Sequence, residues 1–513
     1  MSKDQNKHIR AIGSILVITM LGKVLGLVRD MMLGHHFGTG MASSAFLVAS
    51  RIPRTFFDAI FASAISASFI PVFNERLERR GRDDAFRLSN CFFTWVGLAT
   101  ALFSTLGIVF AEPIVAALAD GFDAETARLC ASLLRILFPT VFFTGIAFSM
   151  VGVLQSLGQF TIPAAMSAVS NAIIIGYYLL FCRNYGIYGL AWAFVLGWAA
   201  QALIQIPWLH RSGFRYRPVL RHGALGQVFR LMIPVMVSTW IQPMNQLLST
   251  RFATHLFDGA GASAMDYANT LYTILTGVLV LSITNVLFPE MSRLSSAGQE
   301  EELGELLHTN LRGMLFLLIP LTAGVMLMAE PLVRLLYEWG SWDGFSTTIT
   351  ARALCFMSLG MVGYGLQNVL SRSFYAGQDG KTPVISGIVS IAVNLILCLA
   401  LTDSMDVAGL SLATALSATA GASVLLLPTL RRFPGLRSRS FWLPIAKMLL
   451  AALVMAAAVA LTHGLFGGLL PDTLPGRAAV LGIPTVLGIA VYFLLAWAMK
   501  LPELKLLMQM FKK

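Results

Sequence analysis

Long apolar runs separated by short polar connections fill the chain from end to end. About 20 apolar residues cross a bilayer as a helix. The pattern predicts fourteen such segments, roughly 9–33, 42–73, 88–110, 128–157, 160–182, 187–209, 228–255, 264–291, 312–336, 348–376, 382–402, 407–430, 441–463 and 478–500. The runs are continuous rather than alternating, which excludes a membrane β-barrel. The predicted fold class is an all-α, multi-pass membrane protein.

Composition agrees with the pattern. Of 513 residues, 56% are hydrophobic and 12% are charged, whereas a soluble chain carries about 25% charged residues. Mean hydropathy is +0.73. The first apolar run follows Lys3, Lys7 and Arg10, is long, and has no small-residue cleavage site. It predicts a retained helix, not a signal peptide.

The 37 Lys and Arg exceed the 26 Asp and Glu, giving a net charge of +11. The distribution of these charges says more than their sum. Twenty-four lie on the N-terminal side of the membrane, with groups at 76–87, 211–221 and 431–439 and others at the two termini. The opposite side holds Arg128, Arg183, Arg251, Arg334 and Arg477. The positive-inside rule then places both termini in the cytoplasm. No nucleic-acid-reading motif accompanies the excess, so no nucleic-acid partner is expected.

Two stretches about 220 residues apart resemble each other. Gly158-Gln159, Pro163, Val169-Ser170 and Gly189-Leu190-Ala191-Trp192-Ala193 find counterparts in Gly377-Gln378, Pro383, Val389-Ser390 and Gly409-Leu410-Ser411-Leu412-Ala413. Pro71 and Pro289 are 218 apart. Six spans separate equivalent helices, so the repeats are parallel, a design used by transporters with a site between two lobes. The predicted division is an N-lobe of helices 1–6 (1–222), a C-lobe of helices 7–12 (223–436), and two further helices with a tail (437–513).

Enzyme chemistry finds no footing. The five cysteines lie singly in apolar runs and the histidines lack metal-ligand spacing, so no metal or disulfide framework is expected. Gly380-Lys381-Thr382 would end a Walker loop, but the required first glycine is Tyr375. No cofactor is expected. Direction must come from membrane potential, an ion gradient or consumption of product.

Eight basic residues fall within spans: Lys23, Arg29, Arg51, Arg54, Arg135, Arg230, Arg352 and Lys447. A charge at mid-bilayer costs about 2.5–3.5 kcal/mol and usually faces a cavity. The last four lie near helix ends, where they can snorkel. The first four sit in helices 1 and 2. Arg51, Arg54 and Asp58 share one helical face. With Lys23, Arg29 and Asp30 they form a candidate substrate site, since guanidinium groups bind phosphate oxygens in a bidentate manner. The alternative is internal pairing, Arg54 with Asp58 and Lys23 with Asp30. The C-lobe counterpart, Gln242, Asn245, Asp266 and Asn269, is nearly neutral. It could bind a small cation or only hydrogen-bond between helices.

These residues resemble the MurJ/MviN family of lipid II flippases, within the multidrug/oligosaccharidyl-lipid/polysaccharide exporter superfamily. The similarity spans the chain. It is sharpest at Leu25-Gly26-Leu27-Val28-Arg29-Asp30, Phe37-Gly38-Thr39-Gly40, Ala45-Phe46, Phe69-Ile70-Pro71 and Phe374-Tyr375-Ala376-Gly377-Gln378-Asp379-Gly380-Lys381-Thr382-Pro383. The resemblance implies a bacterial inner-membrane flippase. It would carry undecaprenyl-pyrophosphate-linked peptidoglycan precursor to the outer leaflet by alternating access, in company with membrane lipids and cell-wall synthesis proteins.

Several charges depart from the family pattern. Lys23 stands where Arg is usual, Ser44 where Asp is common, and Phe57 where helix 2 carries Arg. Ala62-Ser63-Ala64 replaces EGA, and Asn269-Thr270 replaces Asp-Arg. Three alternatives follow: a flippase for another polyprenyl-linked glycan, a MATE-like cation-coupled antiporter, and a non-transporting envelope-assembly scaffold.

Overall fold

The computed structural model describes the backbone of residues 3–504. It describes the side chains in that range except those of 3–16, 56–63, 234, 237–238, 241–242, 278, 281–282 and 285–286. Every regular element among the described residues is helical. The chain forms two compact units, Met1–Ser263 and Ala264–Lys513.

The first unit contains α1 (Lys3–Phe37), α2 (Met41–Ala64), α3 (Ile70–Arg80), α4 (Arg82–Val109), α5 (Ala111–Leu118), α6 (Ala124–Leu137), α7 (Pro139–Ser156), α8 (Thr161–Leu180), α9 (Cys182–Leu203), α10 (Ile206–Arg211) and α11 (Leu225–Ala253). The next helix, α12 (Ala260–Ser296), begins here and continues into the second unit. Beyond it run α13 (Glu300–Tyr337), α14 (Gly344–Ser358), α15 (Met361–Ala376), α16 (Lys381–Arg432), α17 (Arg439–Gly467) and α18 (Leu474–Ala498).

All fourteen predicted segments fall on helices. Eight helical stretches among the described residues are long and apolar enough to cross a membrane, and the bent pair α14–α15 makes a ninth. Outward-facing residues such as Leu102, Leu180, Leu453 and Trp497 are more than half exposed. A soluble fold buries such side chains, whereas a bilayer solvates them.

Local chemistry sets the helix ends. Asp123 accepts from the Glu125 and Thr126 amides to start α6, and Asp343 accepts from the Ser346 amide to start α14. These two caps stand 220 positions apart. Such a cap satisfies amides that the first helical turn leaves open. Two backbone breaks repeat at the same spacing. Gly186 interrupts α9 at φ 51°, ψ −143°, and Asp406 interrupts α16 at φ 52°, ψ −134°. The second break divides the 52-residue α16 into two span-length pieces.

The repeat also corrects one sequence match. After α7, the Gln159 amide bonds to Leu154 O and the Gly158 amide to Gln155 O. After α15, the Asp379 amide bonds to Phe374 O and the Gln378 amide to Tyr375 O. Positive φ falls on Gly158 and Gln378. Structure therefore pairs Gly158 with Gln378, not with Gly377. The pairing restores the 220 spacing of Pro163–Pro383 and Val169–Val389.

Each unit has its own core. In the first, Phe69, Phe73 and Phe92 are fully buried, with Phe69 stacked on Phe92 at 4.7 Å. Phe69 ends a single π-turn, Ile65–Phe69, that follows α2. In the second, Leu311, Met314 and Phe316 of α13 pack with Phe441 and Met448 of α17 and Tyr492 of α18. Polar bonds hold the α17–α18 hairpin to α13 along its length. Arg312 pairs with Glu503, Tyr492 Oη donates to Phe316 O at 2.9 Å, and Arg334 meets Asp472 at 2.9 Å. All five cysteines are free thiols.

Candidate functional site

The first-unit cations are built from α1 inward. Gly22 and Gly26 lie one turn apart on the face of α1 that meets α8. A Cβ on Gly22 would stand 3.3 Å from Ser167, and one on Gly26 would stand 3.5 Å from Asn171 Nδ2. Small residues there let the helices approach closely. Asn171 Nδ2 donates to Gly22 O at 3.1 Å, which ties the two helices together.

Arg29 sits on the next turn of that face. Its Nε and Nη2 donate to Asp30 Oδ1 at 2.9 and 2.7 Å, and its Nη1 donates to Asn171 Oδ1 at 3.1 Å. The guanidinium carbon lies 5.5 Å from the Phe194 ring centroid, within cation–π range. The two side chains are 13% and 16% exposed, so the pair is largely shielded. Arg29 is thus a neutralised and oriented cation. Internal pairing does occur, but Asp30 takes Arg29 rather than Lys23. Lys23 is exposed on α1 and makes no ion pair among the described residues.

Helix α2 carries the other two. Arg51 is half-buried and donates from Nη1 to Thr250 Oγ1 of α11 at 2.6 Å. Arg54, one turn on, is exposed. Pro53 lies between them inside a continuous helix. The Asp58 side chain lies outside the described residues, as do those of Phe57, Ala62 and Ser63. The structure therefore brings Arg29, Asp30 and Asn171 into contact and gives Arg51 a separate anchor. Asn171 and Thr250 were not anticipated. Neither is charged, and each takes its role from a helix distant in sequence.

The neutral set is divided. Asn245 lies on α11 in the first unit, and its Oδ1 is buried without a hydrogen-bond partner among the described residues. Asp266 and Asn269 lie three apart on α12 and are half-buried. The Gln242 side chain lies outside the described residues. Helix α11 packs against α2 and the π-turn. Of the basic residues near helix ends, Arg135 pairs with Glu112 at 2.7 Å and Lys447 Nζ donates to Met499 O at 3.0 Å.

In the turn before α6, Asp120 accepts from Arg251 at 2.6 Å and faces His255 Nε2 at 3.0 Å. The Arg251 hydrogen bond is the main reason the Asp120 carboxyl is held down to about 2.

The family model described as lipid II flippase MurJ matches residues 33–474. The chain belongs to the lipid II flippase MurJ family. Its resemblance to a lipid II flippase MurJ from Burkholderia cenocepacia is 29% identity, covering 96% of this chain and 97% of that protein. A probable lipid II flippase MurJ from Haemophilus influenzae is 30% identical over 86% of this chain and 90% of its own. Among solved structures, a lipid II flippase MurJ in an inward closed conformation superposes with a TM-score of 0.80, at 23% identity over 94% of this chain and 97% of that one. An inward-facing MATE multidrug transporter superposes at 0.68 with 15% identity over 83% of this chain and 99% of its own. The MurJ and MATE architectures are thus one fold, and the match along the whole sequence separates them. MurJ proteins are multi-pass membrane transporters, not catalysts.

Proposed function

We propose that this protein carries lipid II from the cytoplasmic to the outer leaflet of the bacterial inner membrane. Membership of the MurJ family over residues 33–474 carries this reading. Relatives named lipid II flippase MurJ and probable lipid II flippase MurJ, matched over 97% and 84% of their lengths, support it. The basic first unit supports it in chemical terms. A pyrophosphate-linked head group needs cations within the membrane, and Lys23, Arg51 and Arg54 supply them beside the paired Arg29–Asp30. Gln242, Asn245, Asp266 and Asn269 stay separate candidates, for a small cation or for hydrogen bonds between helices.

The orientation belongs to this proposal. Both termini are cytoplasmic, fourteen helices span the membrane, and the repeat lobes are 1–222 and 223–436 with 437–513 appended. The repeated caps at Asp123 and Asp343 and the repeated breaks at Gly186 and Asp406 support the division. Net movement draws on membrane potential, an ion gradient or outside consumption of product. One elementary charge moving through 100 mV gains about 2.3 kcal/mol.

The test is translocation of labelled lipid II in vesicles holding the purified protein, beside complementation of flippase-depleted cells. Wild-type protein moves the lipid, and the Arg29→Ala protein does not. Transport of another polyprenyl-linked glycan with no movement of lipid II overturns the substrate. A reporter at the C-terminus that proves extracytoplasmic overturns the orientation.

A further inference from the structure

The segment between α10 and α11 is a strap, residues 212–224, with no regular secondary structure over 214–222. Five polar ties nevertheless fix it to α4. Asn90 acts as a substitute peptide: its Nδ2 donates to Arg215 O at 3.2 Å, and its Oδ1 accepts from the Arg217 amide at 3.2 Å. Thr94 Oγ1 accepts from the Val219 amide at 3.3 Å and lies 3.1 Å from Tyr216 Oη. Trp95 Nε1 donates to Leu220 O at 3.0 Å. At the strap's end His222, its side chain 6% exposed, lies 3.3 Å from Asp84.

This pinning presents three arginines. Arg215, Arg217 and Arg221 are exposed and have no carboxylate within ion-pair range among the described residues. Other arginines of this basic side do find acids: Arg79 meets Glu75 at 3.0 Å and Arg432 meets Glu300 at 2.5 Å. Positions two apart in an extended segment share a face, so 215 and 217 project together. Beneath the strap lies an open slot of about 600 Å³, walled by Trp95, Leu220, Leu225 and Phe229 with Arg221 at its edge. Trp95 and Leu220 are 42% and 59% exposed. An open, largely apolar slot with the Arg221 guanidinium at its edge, under a strap that carries two more unpaired arginines, matches a molecule with an anionic head and an apolar tail.

We propose that the strap and its slot bind an anionic phospholipid of the surrounding leaflet, with the phosphate on Arg215, Arg217 and Arg221 and the proximal acyl carbons against Trp95, Leu220 and Phe229. A topology signal needs only positive charge. Fixing the backbone at Asn90, Thr94 and Trp95 gives that charge a geometry. This site is separate from the membrane-embedded cations and does not depend on what the protein transports.

The probe is brominated lipid, which quenches a neighbouring tryptophan. Full-length protein is reconstituted in vesicles of phosphatidylcholine and phosphatidylglycerol with the bromine on one lipid or the other. The Trp95 contribution is the difference between wild type and Trp95→Phe. Brominated phosphatidylglycerol should quench it with roughly a tenfold or greater preference over brominated phosphatidylcholine, since each basic residue near an anionic surface adds about 1 kcal/mol. The R215A/R217A/R221A protein should lose the preference while keeping the wild-type circular dichroism spectrum. The R79A/R80A protein should keep it. Equal quenching by the two lipids in wild type overturns the proposal, as does a preference that survives the triple substitution. Loss of the preference in millimolar inorganic phosphate identifies a free-anion site and overturns the lipid assignment. Both leaflets carry both lipids, so the readout is independent of orientation.

Discussion

Helices α2 and α12 occupy equivalent places in the two repeats and differ in their chemistry. At the 218-residue spacing of Pro71 and Pro289, Arg51 is matched by Asn269 and Arg54 by Tyr272. The first repeat adds a shielded Arg29–Asp30 pair held by Asn171. Yet the repeats share backbone devices, including caps at Asp123 and Asp343 and breaks at Gly186 and Asp406. Scaffold has been kept in both while charge is concentrated in one.

The sharpest test of that asymmetry is Arg29. Arg29→Ala should abolish complementation and also destabilise the protein, because removing one partner of a buried pair costs about 3–5 kcal/mol. R29A/D30A removes both charges and should recover most of the thermal stability in detergent without recovering transport. If the double variant transports lipid, the pair is scaffolding and the asymmetry loses its main support.

A second comparison sets Arg51→Ala against Asn269→Ala. Hydrogen bonds to charged groups are worth about 1.5–3 kcal/mol, so Arg51→Ala should slow lipid II movement in vesicles by about tenfold or more. Asn269→Ala should change it by less than about twofold, as expected for an exchangeable neutral bond. Equal losses would make the repeats chemically equivalent.

The shared backbone can be tested without touching charge. Gly186→Ala places a side chain at φ 51°, ψ −143° and should cost about 1–3 kcal/mol. Asp406→Gly relieves the same conformation at φ 52° and should raise the unfolding temperature slightly. Opposite signs in thermal melts are expected, and matching signs would mean the two breaks differ.

The smallest effect concerns the turn between α5 and α6. Asp120 bonds to Arg251 and His255, whereas the position 220 later is Gly340. The bound carboxyl titrates at about 2, below the ordinary value of about 3.9. A depressed carboxyl stabilises the fold above the ordinary value, and that contribution disappears as pH falls through about 2. Asp120→Asn should therefore cost no more than about 1 kcal/mol. The loss should be constant from pH 8 to 5 and shrink between about 4 and 2. A cost that varies across neutral pH would point to the His255 contact instead.

Much of this architecture was legible because bilayer helices are written as long apolar runs. Each predicted segment lies on a helix, and short motifs carry a spacing of about 220 residues. The partners were not legible. Lys23 and Asp30 looked like a pair on helical spacing, but Arg29 reaches Asp30 because Asn171, 142 positions away, holds its other side. Thr250 on Arg51 is a contact across 199 positions. The lateral partner of α11 was equally hidden. Its sequence places it in the second repeat, whereas its packing is with α2. Hydropathy reports that a helix meets lipid and carries no information on which neighbour it meets.

The break near the middle of each repeat has a consequence for ancestry. Gly186 and Asp406 share no chemistry, and an alignment of letters gives their pairing no weight. Both nevertheless turn the chain through nearly identical torsions at corresponding places. Glycine adopts that turn freely, whereas a residue with a side chain is strained there. If the halves descend from one duplicated gene, selection kept the bend after the residue drifted. Traces of old duplications in membrane proteins would then persist longer in torsion angles than in sequence identity.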